Sequence, residues 1–244
     1  MSSSNLIRVF IGYDSRLPVL FNVAQHSIIR HCSKPVAVTP IALSHLGHVF
    51  NRERLAIQST EFSFSRFLTP YLCDYEGWAI FMDNDVVARA DLAELWALRD
   101  DRYAVQCVKH DHQPKSKVKF LGEAQTSYNK KNWSSVMLMN CGKCQALTPD
   151  YVNSASGLEL HQFKWLESDA LIGEIPMQWN FLVDYYAHDE SAKLVHYTEG
   201  GPYFAKTRDV DFAEDWYDNF RHGASNADSD YMALAEASKR SAGK

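Results

Sequence analysis

Apolar residues fall in short unbroken runs, each closed by a turn-forming or polar residue. Ile7 to Ile11, closed by Gly12, reads as a buried strand. Ser15 ahead of Leu17-Pro18 offers an N-cap and an early proline, so a helix is expected next. Leu20, Val23, Ala24, Ser27, Ile28 and His31 recur at spacings of three and four, which gives that helix one apolar face. Lys34-Pro35 stops it before a second strand, Val36 to Leu43. Trp78 to Met82 predicts another strand, and Asp91 opens a helix with Leu92, Leu95 and Trp96 on its inner face. Tyr103 to Val108, Ser135 to Asn140 and Leu194 to Tyr197 repeat the strand pattern. Strands alternating with helices imply an α/β sheet covered on both sides.

Two stretches break the pattern. Lys109 to Lys119, rich in Lys, and the polar Gly122 to Lys131 read as a long solvated surface loop. Asn226 to Lys244 reads as an Asp-capped surface helix, Tyr231 to Ala237, with a loose end. With 244 residues, 46% of them hydrophobic and 23% charged, the chain is an ordinary globular one with a sizeable core. The net charge of -5 argues against a nucleic-acid partner, which needs a broad basic field. No run approaches the ~18 apolar residues of a membrane span, and Met1 to Arg8 lacks the apolar centre of a signal peptide. A cytoplasmic protein is expected, or one held peripherally at the inner face of the membrane. Five Cys, an odd number, suits a reducing compartment.

Three Asp-x-Asp triplets occur: Asp83-Asn84-Asp85, Asp209-Val210-Asp211 and Asp228-Ser229-Asp230. Only the first follows a buried strand run, where an open α/β sheet presents its ligand-binding residues. Two carboxylates held close there repel unless a cation lies between them, and hard oxygen ligands favour Mg²⁺ or Mn²⁺; a capping or solvated acidic turn is the bland alternative. His196, at the end of Leu194-Val195 and before the turn-forming Tyr197-Thr198-Glu199-Gly200-Gly201-Pro202, could complete the ligand set or be a structural histidine. Glu167-Ser168-Asp169 adds two further acids, and Asn180 closes Ile175-Pro176-Met177-Gln178-Trp179-Asn180.

Taken in order, these signals resemble the retaining, metal-dependent sugar-nucleotide glycosyltransferases of family GT8, relatives of glycogenin and of lipopolysaccharide galactosyl- and glucosyltransferases. The resemblance runs from about Ile7 to Phe204. It implies a GT-A fold, a Rossmann-like mixed sheet flanked by helices, over residues 7–225, with a flexible N-terminus 1–6 and a C-terminal helix and tail 226–244. It implies a nucleotide-contacting turn at Gly12, Tyr13, Asp14 and Arg16, and a donor-reaching arginine at Arg66. The metal motif, similar to Asp83-Asn84-Asp85, would use Asp83, Asp85 and His196, with Asn84 beside the nucleotide. Ser134 and Ser135, Gln178 and Asn180, and Gly200 and Gly201 would line the donor. Asp169, Glu167 and Arg66 would carry the catalysis. The implied activity is transfer of a hexose from a nucleoside-diphosphate sugar, UDP-linked, to a hydroxyl of a sugar, glycolipid or protein, with retention.

The chain departs from the family pattern in three places, which suggests a divergent bacterial-type branch. Trp133-Ser134-Ser135 stands where an Asn-Ala-Gly string is usual, Ser168 replaces a Gln, and the diphosphate lysine is missing from its usual place, with Lys206 as its substitute. Three other readings compete. Cys141-Gly142-Lys143-Cys144 has thioredoxin-like spacing, against which stand some 140 preceding residues and simple packing at a strand end. A sugar nucleotidyltransferase would use paired Asp on a similar sheet, but Gly12-Tyr13-Asp14 is a poor phosphate loop. A sugar-nucleotide binding protein without turnover fits the altered motifs.

Overall fold

The computed structural model describes residues 5–53, 58–111 and 129–223. Most of the Lys109 to Lys131 loop, the Asp228-Ser229-Asp230 triplet and the expected Tyr231 to Ala237 helix lie outside these residues, as do positions 1–4.

The strands and helices expected within the described residues are present. Strands β1 (Ile7–Gly12), β2 (Val36–Ile41), β3 (Trp78–Met82), β5 (Val105–Cys107), β6 (Val136–Asn140) and β7 (Ile172–Glu174) form a sheet of order β2-β1-β3-β6-β5-β7. β1 runs parallel to β2 and β3, whereas β6 is antiparallel to both β3 and β5, so the sheet is mixed. A second sheet, β4-β9-β8, joins β4 (Val86–Ala88), β9 (Leu194–His196) and β8 (Phe181–Leu182). Helices α1 (Pro18–His31), α2 (Leu92–Ala97), α3 (Pro149–Ser154), α4 (Gly157–His161) and α5 (Ala213–Gly223) complete the described elements.

The central strands are continuous apolar runs because the sheet is covered on both sides. Side chains alternate along each strand: Phe10, Phe81, Met137 and Met139 enter a core with Phe62, Phe67 and Leu160. Their neighbours Val9, Ile11, Ile80, Met82 and Leu138 enter another with Ile28, Leu92 and Trp96. A third core packs β8 and β9 against Trp216 of α5 and Leu20 of α1. The apolar face of α1 is buried as its spacing requires, and Ser27 on that face is satisfied by the Ala24 carbonyl and by the Ala88 amide.

Local boundaries differ from expectation for identifiable reasons. Ser15 does not cap α1: its hydroxyl and amide both bond the Glu61 carboxylate, and the helix starts without a side-chain cap at Leu17. Ser135 belongs to a 3-10 turn, Trp133–Ser135, ahead of β6. Cys141 opens the 3-10 turn Cys141–Lys143, and no α-helix N-terminus faces its thiol. At Asp91 the prediction holds in detail, since its carboxylate accepts the Ala93 amide at the start of α2.

Candidate metal and donor site

Met82 of β3 and Val136 of β6 are register partners at one edge of the large sheet. The chain leaves β3 there as Asp83-Asn84-Asp85, held in place by a bond from the Asp83 amide to the Ser135 carbonyl (2.8 Å). It then enters β4, where Val86 pairs with His196 of β9. The two sheets thus meet at the Asp triplet, which is why a histidine distant in sequence reaches both aspartates. Asp83, Asp85 and His196 each offer a ligand atom, and these atoms all lie within 4.8 Å of one another.

The surroundings fix the orientation of the histidine. His196 is 2% exposed, and its Nδ1 lies 2.9 Å from Asn180 Oδ1. The Asn180 amide nitrogen bonds Ser135 Oγ (2.9 Å) and the Asn132 carbonyl (3.4 Å), so its oxygen must face the histidine as acceptor. Nδ1 therefore carries a proton, which leaves Nε2, 3.2 Å from Asp85 Oδ1, as the ring atom that would face a cation. Two carboxylates and an imidazole suit Mn²⁺ or Mg²⁺. Arg66, buried beneath the same edge, pairs with Asp83 (2.7 Å) and donates to the Ser134 carbonyl (3.0 Å). Its guanidinium lies 5.3 Å from the Phe62 ring centre and 5.1 Å from that of Phe81.

Several residues expected at the donor are engaged within the frame. A Cβ on Gly12 would lie 2.2 Å from the Phe62 ring, so only glycine lets that ring pack under Arg66. Asp14 is buried and bound on both oxygens by Arg16, with further bonds from the Arg16 and Glu61 amides. Burial raises the Asp14 carboxyl pKa, yet the Arg16 contacts and the Glu61 amide outweigh burial and hold it below the ordinary value. Tyr13 packs edge-on against Phe21. Ser134 Oγ lies 2.7 Å from His161 Nδ1, and Ser135 Oγ bonds the Asn132 carbonyl, so both hydroxyls are engaged internally. Asn180, expected at the donor, is fully buried as the His196 anchor, and the half-buried Gln178 accepts the Lys193 amide through its carbonyl. Gly200 and Gly201 form the turn after β9, and Lys206 is exposed on Ala205–Thr207.

Glu167 and Asp169 are exposed on the surface ahead of β7. Asp169 pairs with Lys130 (2.5 Å), whose ammonium also donates to the Gln162 carbonyl. Lys130 in turn lies 5.9 Å from the Trp133 ring centre, which links the acids to the 3-10 turn beside Arg66. Around the metal cluster, polar groups are buried without a hydrogen-bond partner: Ser65 Oγ, Asn84 Nδ2, Asn132 Nδ2, Thr198 Oγ1 and Tyr203 Oη. The Trp165 indole nitrogen, near Glu167, is in the same state. Such groups are rare in a finished core and accumulate where a polar ligand completes the structure. Asn132 and Tyr203 were not singled out by the sequence. A non-glycine residue in left-handed backbone (Asn132, φ 63°) is a signal that only coordinates reveal.

No family model matches the chain. Protein CDI of Arabidopsis thaliana is 48% identical over 224 residues, covering 88% of this chain and 86% of that protein. It is a plant protein, so it lends no support to the bacterial-type branch expected from the motif departures. Among solved structures, the bifunctional glycosyltransferase WbbM superposes with a TM-score of 0.56 at 16% identity over 90% of this chain, which spans only 50% of WbbM. The galactosyltransferase LgtC, in complex with donor and acceptor sugar analogs, superposes with a TM-score of 0.55 at 13% identity over 90% of this chain and 97% of LgtC. At these identities the likeness is one of fold. The chain belongs to the family of Arabidopsis thaliana Protein CDI, and it is built on the GT-A fold of the GT8-type glycosyltransferases.

Proposed function

We propose that the protein transfers a hexose from a nucleoside-diphosphate sugar, UDP-linked, to an acceptor hydroxyl, with retention of configuration and with Mn²⁺ or Mg²⁺ held by Asp83, Asp85 and His196. The observation that carries this reading is the joining of those three side chains at the end of β3, with His196 held by Asn180 through Nδ1, which leaves Nε2 to face a cation. The unpartnered Asn84, Asn132 and Thr198 groups suit a polyhydroxylated, anionic ligand. A cation bound there would offset the negative charge that builds on the leaving diphosphate.

The chain's own residues divide the remaining work. Arg66 keeps Asp83 oriented and adds positive charge below the diphosphate. Glu167 and Asp169 would bind sugar hydroxyls and favour the oxocarbenium-like centre, with Lys130 holding Asp169 until the donor arrives. The acceptor hydroxyl would attack from the leaving-group side, its proton passing to the departing phosphate oxygen, so no separate base is required. Residues 7–225 would form the transfer domain. No helix among the described residues is long and apolar enough to cross a membrane.

The test is thermal stabilisation across a panel of nucleotide sugars with and without Mn²⁺, followed by NMR assignment of the new glycosidic bond. A ligand at a hundred times its Kd should add about 2.7 kcal/mol. Equal binding in excess chelator would defeat the metal assignment, and a β-linked product from an α-configured donor would defeat retention. Metal-dependent donor binding without turnover would favour a sugar-nucleotide binding protein, a reading to which the exposed, lysine-bound Asp169 lends weight.

A further inference from the structure

Beyond β9 the chain folds back on itself. The Gly200 amide donates to the Tyr197 carbonyl (2.9 Å) with Gly200 in left-handed backbone (φ 111°), and the Phe204 amide donates to the Gly201 carbonyl (3.1 Å). A Cβ on Gly201 would lie 2.5 Å from a Tyr203 ring carbon and 3.0 Å from Cγ of Tyr197, so the Tyr203 ring lies against Gly201 beside Tyr197. Tyr197 follows the ligand His196, and its amide donates to the Asp85 carbonyl (2.9 Å). The turn therefore delivers a phenol to the strand pair that carries the metal ligands. Trp216 of α5, 5.7 Å away between ring centres, and Phe204, 4.8 Å away, keep it there.

The ring edge is half-buried, but the hydroxyl is fully buried; the Gly201 backbone amide is turned to its oxygen, and its own O–H meets no acceptor among the described residues. An unpaired buried hydroxyl is destabilising, and one backed this closely by aromatic rings cannot swing out to water. A phenol is protonated at neutral pH, so the group is a hydrogen-bond donor. What it lacks is an acceptor. Lys206, by contrast, is exposed on the turn beyond.

We propose that the Tyr203 hydroxyl donates a hydrogen bond to an oxygen of the donor's diphosphate, filling the post that the sequence reading gave to Lys206. The assignment rests on the reading of Asp83, Asp85 and His196 as the donor centre and adds its phosphate contact. A phenol supplies direction without charge, so charge neutralisation is left to the cation and to Arg66.

The experiment is calorimetric titration of the full chain at saturating Mn²⁺ with UDP, GDP, ADP and CDP, and with the monophosphate of whichever base binds. Tyr203→Phe keeps the ring and should melt in ligand-free form at the same temperature as wild type or higher, because it removes an unsatisfied hydroxyl. It should weaken the diphosphate about 10-fold, the monophosphate less, and leave Mn²⁺ affinity alone. Lys206→Ala should bind as wild type does. Wild-type diphosphate binding that Tyr203→Phe leaves intact, or a loss seen in Lys206→Ala instead, overturns this assignment alone. Failure of wild type to bind any of the diphosphates overturns the donor centre and this contact with it.

Discussion

Asp83 and Asp85 have the same spacing as Glu167 and Asp169, two acids flanking one residue, yet the fold treats the pairs in opposite ways. Asp83 and Asp85 leave a central strand, have side chains only 15% and 18% exposed, and meet Arg66 and His196 at 2.7 and 3.2 Å. Asp169 begins a 3-10 turn ahead of the edge strand β7, with its side chain 74% exposed and the half-buried Lys130 as partner. A buried acid pair is costly unless something of opposite charge completes it, whereas an exposed pair is solvated and inexpensive to keep. The first pair therefore depends on the positive groups that meet it, and a cation would add to them. The second becomes a site only if a donor displaces water and Lys130 from it.

The sharpest break in this comparison comes from Asp85→Ala. It should lower transfer about 10³-fold, since it removes a ligand whose effect is felt where charge develops on the diphosphate. Relief of repulsion between the two aspartates should leave ligand-free stability unchanged or higher. Differential scanning with and without Mn²⁺ checks both halves, and a variant that retains metal-dependent stabilisation would remove Asp85 from the ligand set.

Asn180→Ala tests whether burial alone prepares the metal pole or whether the histidine must also be held. With the Asn180 amide gone, neither the tautomer nor the ring orientation of His196 is fixed. Mn²⁺ affinity should fall about 10- to 100-fold. An unchanged affinity would mean that β9 packing by itself aims Nε2 at Asp85.

Asp169→Asn tests the exposed pole. If Asp169 acts on the charge that grows on the sugar, kcat should drop about tenfold with donor affinity little altered, whereas Glu167→Gln should weaken donor binding in ground and transition states alike. Single-turnover rates at saturating donor separate the two. A purely structural Asp169 would alter neither, and its loss would only free Lys130.

How much of this could be read from the chain follows from the length of the segments involved. β1, β3 and β6 are five- or six-residue apolar runs and were legible nearly to the residue, as were α1, from its spacing, and the Asp91 cap. β4, β8 and β7 are two or three residues long, too short to carry a period, and they form because tertiary pairing supplies their partners. Asp83, Asp85 and His196 were picked out because a strand end is a chemical address. Ser15 was misread because its competing partner, Glu61, lies 46 residues away. The part of Asn180 in orienting His196 was not legible, because the sequence cannot show that its amide meets Ser135 and His196. Tyr203 carried no motif, and its unsatisfied hydroxyl exists only in three dimensions.

The smallest effect is expected from the cysteines, and it extends the contrast between buried groups that serve a ligand and buried groups that only pack. Cys107, Cys141 and Cys144 are fully buried, and Cys144 Sγ bonds the Ala104 and Asn140 carbonyls. Burial pushes the Cys107 and Cys144 thiols up to about 12, and Cys141 is pushed higher still by its hydrogen bond to Cys73 and by burial. That same bond, donated by Cys141, outweighs burial at Cys73 and lowers its pKa, so the reactive form at this corner would belong to Cys73 and not to the Cys141-Cys144 pair. At pH 8 a thiol with a pKa near 12 is ionised in only about one molecule in 10⁴. Iodoacetamide should therefore label the half-buried Cys32 and leave Cys107 and Cys144 unmodified in the folded protein. Cys141→Ser with Cys144→Ser should keep glycosyl transfer once any loss of stability is corrected, because a hydroxyl in an apolar corner costs packing and not chemistry. Mass spectrometry of the labelled protein and transfer assays below its melting point check this. Rapid alkylation of Cys144, or a well-folded double variant without activity, would bring the redox reading of that motif back.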